Sequence, residues 1–136
     1  MSSESTSAIA AFLAGTPFAV VGASKDRGKY GNKVLRVYQQ RGLVVHPIHP
    51  SEREIEGLAC SASLTVLPVK PHGISILTPP RITEQIAEEA HALGIRHLWM
   101  QPGAESPRAI ARAEELGLSL IAGGPCILVV LGYRET

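Results

Sequence analysis

The sequence predicts an α/β fold in which a mostly parallel, open sheet of about five strands lies between helices. Two features carry that expectation. Short apolar runs alternate with helical patterns from Phe18 to Ala122, and the helical patterns stop at glycines, Gly42, Gly94 and Gly117, just before the next apolar run. A third feature is size: 136 residues make one domain, residues 1–136, and leave no room for a second catalytic one.

The elements follow in order. Residues 1–8 read as a polar, frayed start leading into a short helix over Ser7 to Ala14, with Ile9, Phe12 and Leu13 available to pack. Phe18 to Ala23 is an apolar run without strict alternation, as expected of a strand buried on both faces. Asn32 is placed to cap a helix carrying Val34, Leu35, Val37 and Tyr38. Val44 to His49 forms the second strand, closed by Pro47 and Pro50, which a central strand would not accommodate. Residues 51–71 admit a turn and one short helix, with Leu64 to Leu67 either a brief strand or a connector. Ile74 to Thr78 is the third major strand, and Arg81 to Leu93 an amphipathic helix with Ile82, Ile86, Ala90 and Leu93 on one stripe. Ile95 to Met100 is the fourth strand. A helix opened by Glu105 or Ser106 and a fifth strand over Leu118 to Ala122 complete the pattern, and the tail is a short helix or an edge element. Right-handed βαβ connections between such strands make a Rossmann-like, three-layer arrangement.

Composition excludes several classes of function. Apolar residues are 45% and charged residues 18% of the chain, as in folded rather than disordered proteins. With 13 basic and 12 acidic side chains the net charge is +1, which points to neither nucleic acid nor an anionic membrane as a partner. No apolar stretch approaches the roughly 20 residues that span a bilayer. The start of the chain has neither a basic signal region nor arginines for a mitochondrial presequence, and two cysteines are too few for a secreted disulfide scaffold. A cytoplasmic setting is expected.

The first loop is the informative one. "VVGASKDRGKYGNK" follows a buried strand and precedes a helix, the position at which open sheets grip phosphate. Gly22 allows a tight bend, while Ser24, Lys25 and Lys33 add a hydroxyl and positive charge. The dinucleotide spacing G-x-G-x-x-G is absent, because Ser24 and Arg27 stand where the second and third glycines belong. The second strand ends in His49 and Pro50 rather than an acid for the ribose hydroxyls, and Glu52 comes only beyond the proline. A nicotinamide-dependent redox protein is therefore the second reading, and a ligand-free interaction protein the third.

Together, "VVGASKDRGKYGNKVLRVYQQRG", "VVHPIHPSEREIEGLACSASL", "SILTPPRIT", "HLWMQPGAES" and "GGPC" resemble the small stand-alone coenzyme A-binding proteins, similar to the CoA-binding domain of the succinyl-CoA synthetase alpha subunit. The resemblance implies a phosphate loop at Gly22, Ala23, Ser24 and Lys25, with Lys33 nearby. It implies an adenosine border at Pro47, His49 and Pro50, where many members have asparagine at the His49 position. It also implies contacts at Thr78, Pro79 and Arg81, a pantetheine side at Gln101, Pro102, Gly103 and Ala104, and a family cysteine at Cys126. The ligand so implied is coenzyme A or an acyl-CoA.

No catalytic set stands out. His46 and His49 lie three apart, which on a strand aims them at opposite faces, and His72, His91 and His97 lack partners at a metal-site spacing. "GASKD" is not a nucleophile elbow. Cys126 is read first as a small packed hydrophobe and second as a thiol near the pantetheine sulfur. The sequence distinguishes neither monomer from homodimer nor free CoA from an acyl-CoA, and it names no protein partner.

Overall fold

The computed structural model describes residues 3–135. Five strands, β1 (Phe18–Val21), β2 (Val45–Ile48), β5 (Gly73–Ile76), β6 (His97–Met100) and β7 (Ser119–Ile121), form one sheet in the order β2-β1-β5-β6-β7. Every pairing in it is parallel. Helices α1 (Ser3–Leu13), α2 (Tyr30–Gln40), α3 (Pro80–Ala92), α4 (Pro107–Glu115) and α5 (Ile127–Val130) supply the outer layers.

Alternation along each strand divides the core in two. Phe18, Val20, Trp99 and Ile121 pack on α1, α2 and α5, whereas Ala19, Val21, Ile74, Ile76, Leu98 and Met100 pack on α3 and α4. The second face is built on small helix residues, Ala87, Ala90, Ala109 and Ala113, so α3 and α4 approach the sheet closely. The first holds the bulk: Phe18 stacks between Phe12 and Tyr38 at 5.2 and 5.1 Å. Each large apolar side chain so buried contributes about 1.5–3 kcal/mol.

Local chemistry explains the boundaries. Ser106 Oγ accepts from Ala109 N at 3.0 Å, capping α4, and Pro107 follows at its first position. Pro47 is tolerated because β2 is the edge strand and its carbonyl faces outward to Ser61 N, so the missing N–H lies on the same outer side.

Three expectations are corrected. α1 begins at Ser3 rather than Ser7, while Met1 and Ser2 of the expected frayed start lie outside the described residues. Asn32 does not cap α2, which opens two residues earlier at Tyr30; it is fully buried inside the helix. The open segment holds a two-stranded hairpin, β3 (Glu54–Ile55) and β4 (Leu58–Ala59), turned through Glu56 and Gly57 at φ 49° and 77°. A single 3-10 turn over Leu64–Val66 follows it. The tail forms the helix α5.

Candidate functional site

In a parallel sheet of this order the chain leaves β1 toward one face and β5 toward the other, so their carboxyl ends part and leave a crevice. A cleft of about 560 Å³ lies there. Gly22, Ala23 and Ser24 from the loop after β1, Lys29 to Gly31 at the start of α2, Leu77 to Pro79 after β5, and Pro102 to Ala104 after β6 form its walls, with His49 at one end. A more apolar hollow of about 400 Å³ adjoins it, sharing Gly22, Thr78 and Pro79 and continuing past Ile48, Pro50, Ser63, Leu64, Ile82 and Ile86.

The floor is bare backbone. Gly22 has φ +93°, and a Cβ on Gly31 would sit 2.2 Å from the Gly22 carbonyl oxygen. Glycine at both positions is what lets α2 press against the end of β1. No side chain caps the start of α2. The N–H groups of Asn32 and Lys33 turn back to the Lys29 carbonyl at 3.1 and 3.2 Å, which leaves those of Tyr30 and Gly31, with the positive end of the dipole, at the cleft wall formed by Lys29, Tyr30 and Gly31. Ser24 Oγ accepts from Asp26 N at 3.1 Å, which leaves its own hydrogen for a ligand, and Asp26 Oδ1 accepts from Gly28 N at 2.9 Å.

A buried polar strut holds this loop. Asn32 donates to the Ser24 carbonyl at 2.9 Å and to Glu56 at 3.1 Å, and accepts from Arg36 Nε at 2.6 Å. Arg36, 4% exposed, also donates to the Arg27 carbonyl at 2.9 Å. The buried asparagine thus spends its amide on tertiary contacts, tying α2, the phosphate-type loop and the β3–β4 hairpin together.

His49 takes over a turn function. Its Nδ1 accepts from the backbone N–H of Ser51 and of Glu52, both at 3.1 Å, as an asparagine side-chain oxygen would. That pattern assigns the hydrogen to Nε2, leaving the imidazole a donor.

Cys126 stands behind the cleft wall. Tyr30 Oη and Cys126 Sγ are hydrogen-bonded, and Tyr30 itself faces the cleft. Burial and this contact push the Tyr30 phenol well above its ordinary range, so it remains protonated. Trp99 Nε1 donates to the Pro125 carbonyl at 3.0 Å, and Gln101 Oε1 accepts from Ile127 N at 3.0 Å, fixing the residues on either side of the thiol. Cys60 lies elsewhere, beside His49 and Ser61 carbonyls, with its thiol pushed up chiefly by burial.

Of the residues expected from sequence, Gly22, Ala23, Ser24, His49, Thr78, Pro79, Pro102, Gly103 and Ala104 come together around the cleft, and Pro50 joins them through the hollow. The others stand apart. Lys25 is paired with Glu52 at 3.2 Å and Lys33 with Glu135 at 3.6 Å. Pro47 is buried in β2, Gln101 is fully buried, and Arg81 lines a groove between α3 and α4 with Glu84, Glu88 and Arg108. Lys29, Tyr30 and Leu77 were missed, although their positions flanking the expected loop and strand end carried the signal. Among the described residues no group of three or more His, Cys, Asp or Glu is placed to hold a metal, and no helix is long and apolar enough to cross a membrane.

The family model for the CoA binding domain matches residues 16–132, a span that contains both cavities. A conserved hypothetical protein from Pyrococcus furiosus is 40% identical over 85% of this chain and 99% of its own, with a TM-score of 0.80. The dinucleotide-forming acetyl-coenzyme A synthetase 1 of Ca. Korarchaeum cryptofilum is 27% identical, with a TM-score of 0.68; the match takes in 77% of this chain and 25% of that one. An ADP-forming acetate–CoA ligase I from Archaeoglobus fulgidus is 31% identical over 71 residues, 52% of this chain. The chain spans about a tenth of that ligase's length, 10%. With a bare-glycine floor at the switch point and a family match over nearly all of its length, the chain belongs to the CoA-binding domain family.

Proposed function

We propose that the two adjoining cavities hold one extended coenzyme A or acyl-CoA molecule, and that the chain binds it without a catalytic set of its own. The diphosphate lies over Gly22 to Ser24, taking N–H groups from the loop and the start of α2, the Ser24 hydroxyl and the Lys29 ammonium. The adenine enters the apolar hollow beside Pro50, Leu64 and Ile82, and His49 Nε2 faces the ribose region. The pantetheine arm runs the other way, past Leu77 toward Pro102 to Ala104.

One observation carries this reading: Gly31 and Gly22 meet with no room for a Cβ at the sheet's switch point. Such contact brings backbone donors to a diphosphate, and a purely structural turn does not need it. Lys25 and Lys33 join the phosphate only by leaving Glu52 and Glu135, and both ion pairs are exposed enough to exchange at little cost. Residues 1–136 act as a single binding unit on this reading, and two free cysteines fit a reducing, cytoplasmic compartment.

Calorimetric titration of ligand-stripped protein with CoA, dephospho-CoA and NAD tests it. CoA binding at micromolar or tighter affinity, about −8 kcal/mol or better, is expected, with dephospho-CoA and NAD weaker. Equal or better binding of NAD, or no CoA binding, overturns the proposal.

A further inference from the structure

Helix α3 carries three acids, Glu84, Glu88 and Glu89, and they divide between its two sides. Glu84 pairs with Arg108 at 3.3 Å and Glu88 with Arg112, both across to α4. Glu89 continues instead the stripe of Ile82 and Ile86, which forms one wall of the apolar hollow beside the cleft. It is half-buried there and, among the described residues, is the one charged side chain in that lining. Side chains on a helix lean toward its N-terminus, so the carboxylate is carried back over Ile86, along the hollow and toward the cleft.

The other polar side chains of the hollow are already occupied. Ser63 Oγ is bonded to Thr65 Oγ1 at 2.7 Å, and Thr78 Oγ1 to Thr83 Oγ1 at 2.9 Å. Among the described residues the Glu89 carboxylate has neither an ion pair nor a hydrogen bond. A half-buried carboxylate on an apolar wall gives up part of its hydration without a partner to replace it. One polar group placed in an apolar enclosure is also the pattern by which small-molecule sites fix the orientation of a ligand.

We propose that Glu89 is the specificity-determining residue of the hollow, accepting a hydrogen bond from the 6-amino group of the adenine ring. The assignment rests on the CoA reading of the two cavities and deepens it. An ionised carboxylate can only accept, and the free ring nitrogens of adenine accept as well, so the 6-amino group is the donor through which the base can meet it. The flat faces of the base take the aliphatic walls at Leu64, Ile82 and Ile86. From Ile82 to Glu89 the helix advances about 10 Å, at 1.5 Å a residue, a span that a purine and the reach of a glutamate side chain fill together. The negative charge also turns the phosphates of CoA away from the hollow and toward the glycine floor, which fixes the direction in which the ligand lies.

Titration of the full chain with CoA, and with the CoA analogue that carries hydrogen in place of the 6-amino group, tests this. Wild type should bind CoA about tenfold or more tightly than the analogue, because the analogue leaves the carboxylate unpaired. Glu89→Met keeps the length of the side chain and its helix propensity but removes the acceptor, and should bind the two ligands within about threefold of each other. Equal binding of both by wild type overturns the assignment, and is the result expected if the pantetheine amides and not the base face Glu89. A Glu89→Met protein that retains the full preference overturns it too, since another group then recognises the amine. The wild-type comparison alone decides the matter if that variant fails to fold. CoA binding without preference sinks the role of Glu89 and leaves the reading of the cleft standing, whereas absence of CoA binding sinks both.

Discussion

Gly31 sets how close α2 comes to the phosphate loop, because its missing Cβ would stand 2.2 Å from a main-chain oxygen that has nowhere to go. Gly31→Ala should therefore destabilise the protein by about 1–3 kcal/mol in urea denaturation and lower CoA affinity at the same time, since the shifted helix withdraws its N–H groups. At the opposite end of α2, Tyr38 shows how a buried polar atom is kept. Its hydroxyl meets Ser75 Oγ at 2.7 Å, both residues fully buried, and burial drives the phenol far above its ordinary range. Tyr38→Phe orphans the serine and should cost about 1–3 kcal/mol, while adding Ser75→Ala should restore part of that loss; a double-mutant cycle measures the coupling. Residue types at the cleft were legible in the sequence as a glycine bend after a buried strand. The allegiance of the charges was not, because Glu52 and Glu135, which hold Lys25 and Lys33, are placed by tertiary folding and not by local spacing.

The five strands and three long interior helices could be read from the chain because each presents a full repeat of its period, with glycines after the helices. The β3–β4 hairpin could not, since two-residue strands carry no period and its Glu-Gly turn departs from the usual Asn-Gly or Asp-Gly signal. The start of α2 was misplaced for a related reason: a buried asparagine and a capping asparagine look identical until the partner residues are known. Helix α1 depends on a contact that only folding creates. His72 Nε2 donates to the Ala11 carbonyl at 2.9 Å, and its ring stacks 4.3 Å from that of His97. His97 is held below the ordinary value of 6.5, first by burial, then by His72 and Arg96, and its Nδ1 is buried without a partner. The unfolded chain thus takes up this proton before the folded one does. Stability should be level above about pH 6.5 and fall as pH drops below it, until the folded-state value is passed. Equilibrium unfolding at a series of pH values checks this, and His97→Gln should flatten the slope.

For the molecule as a whole, the sheet's order gathers the loops after β1, β2, β5 and β6 around one cleft, so a ligand filling it as proposed touches all four. Those loops contribute unevenly to the core: Lys25, Lys29, Pro79, Pro102 and Gly103 are exposed, while the strands that carry them are sealed. A ligand bridging all four therefore links segments that the apolar layers do not hold, and it does so only in the folded state. Binding to the folded chain alone stabilises it by RT ln(1 + [L]/Kd), about 2.7 kcal/mol at a hundredfold excess over Kd. Thermal unfolding with increasing CoA should show a midpoint that keeps rising logarithmically past saturation. Pantetheine at the same concentrations should give a much smaller rise, because it lacks the diphosphate that the glycine floor receives. The loops should gain hydrogen-exchange protection together, including the 102–104 loop, which is distant in sequence from the phosphate site. Protection confined to the 22–31 segment would mean that only the nucleotide half is held, and that the 102–104 loop plays no part in binding.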